Sequence, residues 1–337
     1  MFGITRKRIY AFLIAFGVFS LYALIECQEF SSRSISPYEF SFEVQKGTSI
    51  REILFQLNKK GAKVKPILFE LITRITGADK KIHAGEYLIT PKTSRRDLLR
   101  MLVNGDVIMR KFTIVEGWNV KTLFSELNKS EYLKNDLESA KKEDIIKKYA
   151  SNKENVEGLF FPETYEFAKN TTVSTILKEA YNAMQNHLEA EWHSRALNLP
   201  YKNSYQALIV ASLIEKETSI AEERDKISAV ILGRLKKRMY LQIDPTVIYG
   251  MGGKYKGKLS RADLKKDTPY NTYTRKGLPP TPIALPSLAS MRAAMHPANT
   301  DDLYFVARGN GGHIFTSNLK DHIAAVAKLR KTKAEVK

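Results

Sequence analysis

The chain has 337 residues, 43% of them apolar and 27% charged, a globular balance that excludes a disordered or fibrous protein and leaves room for two domains. Lysine and arginine number 54 against 36 acids, a formal charge of +18. That excess points to a polyanionic partner or surface without choosing among nucleic acid, anionic lipid and acidic envelope polymer. A single cysteine, Cys27, leaves no intramolecular disulfide and no cysteine-based zinc site.

Residues 9–25 carry no charge and as a helix span about 26 Å, the lower limit for crossing a bilayer. Arg6, Lys7 and Arg8 precede the run and Glu26 follows it. The positive-inside rule then predicts a cytoplasmic tail over 1–8, a transmembrane helix over 9–26 and an extracytoplasmic remainder, placing the chain in a plasma membrane. No small-residue cleavage site follows, so the segment reads as an uncleaved anchor rather than a signal peptide. Most of the positive charge lies on the exported side, where nucleic acid is not an expected partner and acidic envelope polymers are. Ser31, Ser32, Ser34, Ser36 and Pro37 make residues 27–40 a polar linker.

A first small unit is expected over residues 41–107. SFEVQ alternates as a strand, Ser49 caps a helix with Ile50, Ile53, Leu54 and Leu57 inward, and residues 66–76 form another with Ile67, Leu68, Leu71, Ile72 and Ile75 inward. A strand over 84–89 and a helix capped by Ser94 complete it. This α+β unit resembles a LysM-type module, a fold associated with N-acetylglucosamine polymers; a plain spacer domain is the alternative.

The second unit opens with a strand over 110–115, a Gly117-Trp118 turn and a helix from Lys121. Residues 136–148 read as a charged, solvated helical face. In EGLFFPETY, Phe160 and Phe161 suit the core, while Glu157, Glu163 and Tyr165 are candidates to face a cleft.

Residues 204–214, SYQALIVASLI, are apolar nearly all round from Ala207 onward, with Ser204 as candidate N-cap, so the helix should be buried. It ends in Glu215-Lys216-Glu217. Glu215 follows Leu208, Ala211 and Ser212 by seven, four and three residues, which puts its carboxyl on their face and predicts partial desolvation, a raised pKa and a proton held ready. Equally, Glu215 and Glu217 are the first polar residues past a buried helix. Glu222 to Lys226 read as an exposed ion-pair face, and Asp244, held extended by Pro245, as the cap of the next short helix.

Residues 250–286 are rich in Gly, Pro, Tyr, Asn and Thr and read as a long functional loop, with Tyr249, Tyr255, Tyr270 and Tyr273 as aromatic faces and Asn271, Thr272 and Thr274 as hydrogen-bonding groups suited to a polyol. Residues 303–316 form a β-hairpin. The six histidines show no metal spacing and no nucleophile elbow is present. No metal or cofactor is expected, and carboxylate chemistry is what remains.

ASLIEKET, EERDKISAVILGRLKKRMYLQIDPTVIYG, PYNTY, GLPP and LYFVARGNGGHIFTSN, in that order and preceded by EGLFFPETYEF, resemble the YceG/MltG family of membrane-anchored endolytic murein transglycosylases. The likeness covers almost the whole exported chain. It departs in TPIALPS, where Thr281 and Ser287 stand in place of the glycine of many relatives and Leu285 in place of a small or polar residue.

The resemblance implies an α+β fold in which residues 108–330 form a YceG-like catalytic domain, followed by a basic tail over 331–337. It implies cleavage of the bond between N-acetylmuramic acid and N-acetylglucosamine within peptidoglycan strands, leaving 1,6-anhydro ends. Glu215 matches the family's catalytic glutamate, acting first as acid and then as base. Glu217, Asp244, Tyr249, Asn271, Tyr273 and Glu163 are implied as substrate-binding or supporting residues. Peptidoglycan is the implied partner, with penicillin-binding proteins or other cell-wall synthases as further candidates. The competing reading is a noncatalytic glycan-binding scaffold.

Overall fold

A computed structural model describes residues 3–137, 149, 155–308 and 311–335. The expected solvated face over 136–148 lies almost wholly outside them, as does the tip of the expected hairpin. The chain is mixed α+β and divides into two units, one of residues 1–110 with 166–170, the other of 111–165 with 171–337.

In the first unit, helix α1 (Gly3–Ser32) contains the apolar run, in which Ile9, Phe12, Phe16, Leu21 and Leu24 are among the exposed side chains. It is long and apolar enough to cross a membrane. It does not end at a linker. Phe30 is buried in the core, and Ile35 and Ser36 are buried because the segment pairs with the unit's body: Ile35 N–H donates to Thr93 O (2.9 Å) and Lys63 N–H to Ile35 O (2.7 Å). The serines that suggest a tether instead bond their own backbone, as Ser34 Oγ does to Ser36 O (2.8 Å).

β1 (Phe40–Val44) and β2 (Gly85–Ile89) pair antiparallel with Phe42 opposite Tyr87. α2 (Ile50–Lys59) is capped by Ser49 and buries Ile50, Ile53, Leu54 and Leu57, as the spacing predicts. α4 (Arg95–Asn104) begins with a Ser94–Asp97 capping box, which satisfies two helix-end donors at once.

α3 (Pro66–Thr76) has the predicted limits, and Leu68 and Ile72 pack on the core as expected, but the other three aliphatic residues of the predicted inward set do not. Phe69, Glu70 and Thr73 are buried, whereas Ile67, Leu71 and Ile75 are exposed at 86%, 53% and 76%. Phe69 packs on Phe30 of α1, with ring centroids 5.7 Å apart, and Glu70 takes a two-pronged ion pair from Arg51 at 2.9 Å. Those two anchors turn Ile67, Leu71 and Ile75 outward.

β3 (Met109–Thr113) pairs with β4 (Thr164–Ala168). In the second unit, α5 (Val120–Asn128) is capped by Asn119. α6 (Val173–Ser194), capped by Thr172, buries Ile176, Leu177, Ala180, Met184 and Leu188. α7 (Ser204–Glu217) is the core helix, with every residue from Ala207 to Ile214 buried. Its cap is Asn203, one residue before the expected Ser204; the Asn203 side chain accepts from Gln206 N–H at 3.0 Å.

α8 (Arg224–Lys236) packs against α7. Glu223 is not part of an exposed charged face: its carboxylate accepts from His313 N–H (2.8 Å) and contacts the His313 ring (2.7 Å), tying the start of α8 to the hairpin. α9 (Asp244–Met251) has extended Ile243 at its N-cap position, so Asp244 is the first helical residue rather than the cap. Pro245 fits there because a first-turn N–H has no helical partner to lose.

The expected long loop contains a further short helix, α10 (Arg261–Lys265), begun by a Ser260–Asp263 capping box. α11 (Leu288–Met295) packs on α7. β5 (Tyr304–Ala307) and β6 (His313–Thr316) form the hairpin, and α12 (Leu319–Glu335) continues through much of the expected basic tail. Full burial of each large aliphatic residue on α7 contributes about 1.5–3 kcal/mol, which makes this helix a fixed frame for the acids at its end.

Candidate active site

Once the buried face of α7 ends at Ile214, its final turn presents Glu215, Lys216 and Glu217. Glu215 is half-buried against the N-terminus of α11. One oxygen, Oε2, accepts three hydrogen bonds: from Ser287 N–H (3.0 Å), Ser287 Oγ–H (2.6 Å) and Ser290 Oγ–H (2.7 Å). Ser287 is also the N-cap of α11 and accepts from Ser290 N–H at 3.2 Å. The positive end of the α11 dipole adds to this cradle. No hydrogen bond reaches Oε1 from any described residue.

Segment 281–287 helps to build this cradle. Ile283 N–H donates to Ser212 Oγ (3.0 Å), one turn before Glu215 on α7. Leu285 forms a two-way backbone pair with the 117–118 turn, accepting from Gly117 N–H (2.9 Å) and donating to Trp118 O (2.7 Å). Gly117 has φ +74, which favours glycine, and a side chain there would touch Glu215 Cγ and Lys216 Nζ. Lys216 Nζ in turn bonds Gly117 O at 3.1 Å. Gly158 is more constrained still, because a Cβ would meet Pro282 at 2.5 Å. Ser287, read from sequence as a departure, is a direct partner of the candidate acid.

Glu217 lies elsewhere, since residues two apart on a helix face different sides. Its Oε2 is buried and has no partner among the described residues. Burial raises its carboxyl to about 7, the nearby Asp244 charge adding to the effect and Arg234 opposing it. Asp244 is exposed and accepts from Tyr273 Oη–H at 2.5 Å. Arg234 is held by the carbonyls of Leu303 (2.6 Å) and Leu241 (2.8 Å). Glu217, Asp244, Tyr273 and Arg234 therefore form one electrostatic group distinct from the Glu215 cradle.

The other expected site residues fall into different places. Tyr249 donates to Glu157 Oε2 at 2.9 Å and packs edge-on against Tyr270. Asn271 is fully buried: its amide donates to Leu264 O (3.0 Å) and Lys266 O (2.8 Å), and its Oδ1 accepts from Tyr273 N–H (2.8 Å). With those groups engaged, Asn271 staples the loop that carries Tyr273. Glu163 is exposed, and its carbonyl accepts from Ile114 N–H at 2.9 Å. Tyr165 faces no cleft; it is buried, with its hydroxyl on Phe161 O at 2.8 Å.

Glu157 is 3% exposed and joins the first turn of α5 to α9, accepting from Val120 N–H (2.9 Å) and Tyr249. Burial lifts its carboxyl to about 7 against the opposing pull of those hydrogen bonds. Because the folded-state value is the higher one, the stability Glu157 contributes is complete below about 4.5 and is lost as pH rises through about 7. Glu157→Gln stays neutral at every pH and can still serve both neighbours. It is expected to exceed the parent in stability by up to about 3 kcal/mol at pH 8, with no gain near pH 4.5. Denaturation curves followed through Trp118 and Trp192, both in the second unit, measure the difference.

The sequence profile of the YceG-like family matches residues 42–328. The chain belongs to the YceG-like family. A relative from Bacillus subtilis strain 168, named endolytic murein transglycosylase, is 31% identical over 315 residues, covering 88% of this chain and 86% of the relative. A Streptococcus pneumoniae protein of the same name is 28% identical over 319 residues; the match covers 84% of this chain and 57% of that longer protein. A crystal structure of a yceG-like protein from Listeria monocytogenes superposes with a TM-score of 0.53 at 27% identity, over 86% of this chain and 99% of the other.

Proposed function

We propose that this YceG-like chain is a peptidoglycan lytic transglycosylase, anchored by α1, that cuts MurNAc–GlcNAc bonds within glycan strands and thereby terminates nascent strands. The observation that carries the reading is the asymmetry of Glu215: three donors hold Oε2 and none reaches Oε1 among the described residues, so Oε1 is the oxygen left open to a substrate. Oε1–H protonates the glycosidic oxygen as the C1–O bond breaks. The resulting carboxylate takes the proton of the muramoyl C6 hydroxyl as O6 attacks C1, closing the 1,6-anhydro ring. No water is consumed. A tethered nucleophile replaces the activated water, so one carboxyl suffices where ordinary glycosidases need two. The orientation of Glu217 away from the Glu215 cradle supports a single-acid scheme. In this reading the first unit serves as a LysM-like glycan-binding module and the cationic surface faces acidic envelope polymers.

The raised pKa of Glu217, about 7, and its orphaned oxygen favour a second reading in which Glu217 supplies the proton. Digestion of purified glycan strands followed by mass spectrometry tests the reaction itself. Transglycosylation gives internal cleavage products one water lighter than the reducing fragments of hydrolysis, and hydrolytic masses or intact strands would refute it.

A further inference from the structure

The exposed stripe of α3 has a specific setting. Ile67, Leu71 and Ile75 recur every fourth residue, so they share one face. Ile67 and Leu71, with Leu68 and Ile72, line one side of an apolar groove of about 940 Å³ whose other side is Tyr22 and Phe30 of α1. Tyr22 belongs to the uncharged run itself. If that run crosses a bilayer, the lipids around it reach the groove, and the apolar surface continues from the span onto α3. The junction is fixed: Lys65, just before α3, pairs with Glu26, just after the run, and Phe69 packs on Phe30. Lys65 and Arg96 border the groove and Arg74 lies in the last turn of α3, cations placed to meet anionic headgroups.

We infer that α3 is an interfacial helix whose outer stripe is inserted in the lipid leaflet beside α1, giving the first unit a second hold on the membrane. A surface helix with an apolar face and flanking cations has this behaviour generally, and an exposed aliphatic patch of this kind is otherwise a liability in water. The inference rests on the anchoring reading above. Its consequence is that the unit is docked on the bilayer instead of pivoting on a flexible stalk.

The test uses the full chain with Cys27→Ser and one new cysteine, Leu71→Cys or Val18→Cys, labelled with an environment-sensitive fluorophore. The protein is reconstituted alone in nanodiscs of phosphatidylethanolamine and phosphatidylglycerol containing spin-labelled lipid quenchers. The expected result is deep quenching at 18 and shallow quenching at 71, about 5–10 Å below the headgroup boundary. Quenching at 18 with an unquenched, aqueous spectrum at 71 overturns α3 docking while leaving the anchor intact. An unquenched label at 18 overturns the anchor, and the inference with it. Shielding at 71 in native membranes but not in lipid-only discs identifies a protein occupant and likewise overturns lipid insertion.

Discussion

Replacing Glu215 with Gln is expected to lower glycan cleavage by about 10³-fold or more, near the upper range for loss of a general acid and base, with the fold unchanged. The amide is nearly the same size, and its oxygen can take the place of Oε2 and accept from Ser287 and Ser290 as the carboxylate does. What it lacks is a transferable proton at the other position. Glu217→Gln is the decisive comparison, because Glu217 is the acid that burial pushes to about 7. If Glu215 carries the chemistry, Glu217→Gln retains activity within about tenfold, the loss expected of one supporting charge interaction. The reverse order of effects would transfer the proton-donating role to Glu217. Initial rates of release of anhydro-ended fragments, read by mass spectrometry at fixed pH, separate the two.

The parts of this molecule that were legible in its sequence are those governed by local rules. Helix limits at Pro66, Ser49 and Ser94 follow from capping chemistry and from proline's tolerance in a first turn. The burial of α7 follows from its apolar circumference. What spacing does not encode is which of two apolar faces finds a partner. α3 carries Ile67, Leu71 and Ile75 on one side and Phe69 on the other, and the Phe30 ring and Arg51 decide the matter from distant positions. Likewise, nothing local announces that Ser287 will meet Glu215 across 72 positions of chain. The signal available was the pattern S-x-x-S opening a helix, which marks an N-terminus with hydroxyls to spare. α6 was detectable: Ile176, Leu177, Ala180, Met184 and Leu188 keep helical spacing behind the Thr172 cap. Glu163 and Asn271 show how much the setting of a polar residue escapes the sequence. Both are polar residues near a motif, but one is exposed beside a strand and the other has its amide engaged in holding a loop.

The Ser287–Ser290 pair gives the second large effect. Each hydroxyl donates to Oε2 from a different position, Ser287 before the first turn of α11 and Ser290 within it, so together they fix both the place and the rotation of the carboxylate. Neither is assigned contact with substrate; they are positioning residues. A hydrogen bond to a charged group contributes about 1.5–3 kcal/mol, so Ser290→Ala alone should lower kcat by about 10–100-fold. Ser287→Gly is expected to be milder, because it keeps the backbone N–H on Oε2 and glycine is an acceptable N-cap, costing only a few tenths of a kcal/mol. Combined, the two changes leave the carboxylate one donor of three and should approach the loss expected of Glu215→Gln. The split between constants carries the argument: kcat falls while KM for glycan strands stays within about twofold, since the interaction removed acts on the acid and not on bound sugar. Ser290→Thr, which restores the hydroxyl, should recover most of the rate. A general unfolding defect would lower the melting temperature and would not be repaired by that substitution, and a rise in KM with kcat intact would move Ser287 and Ser290 from holding Glu215 to holding substrate.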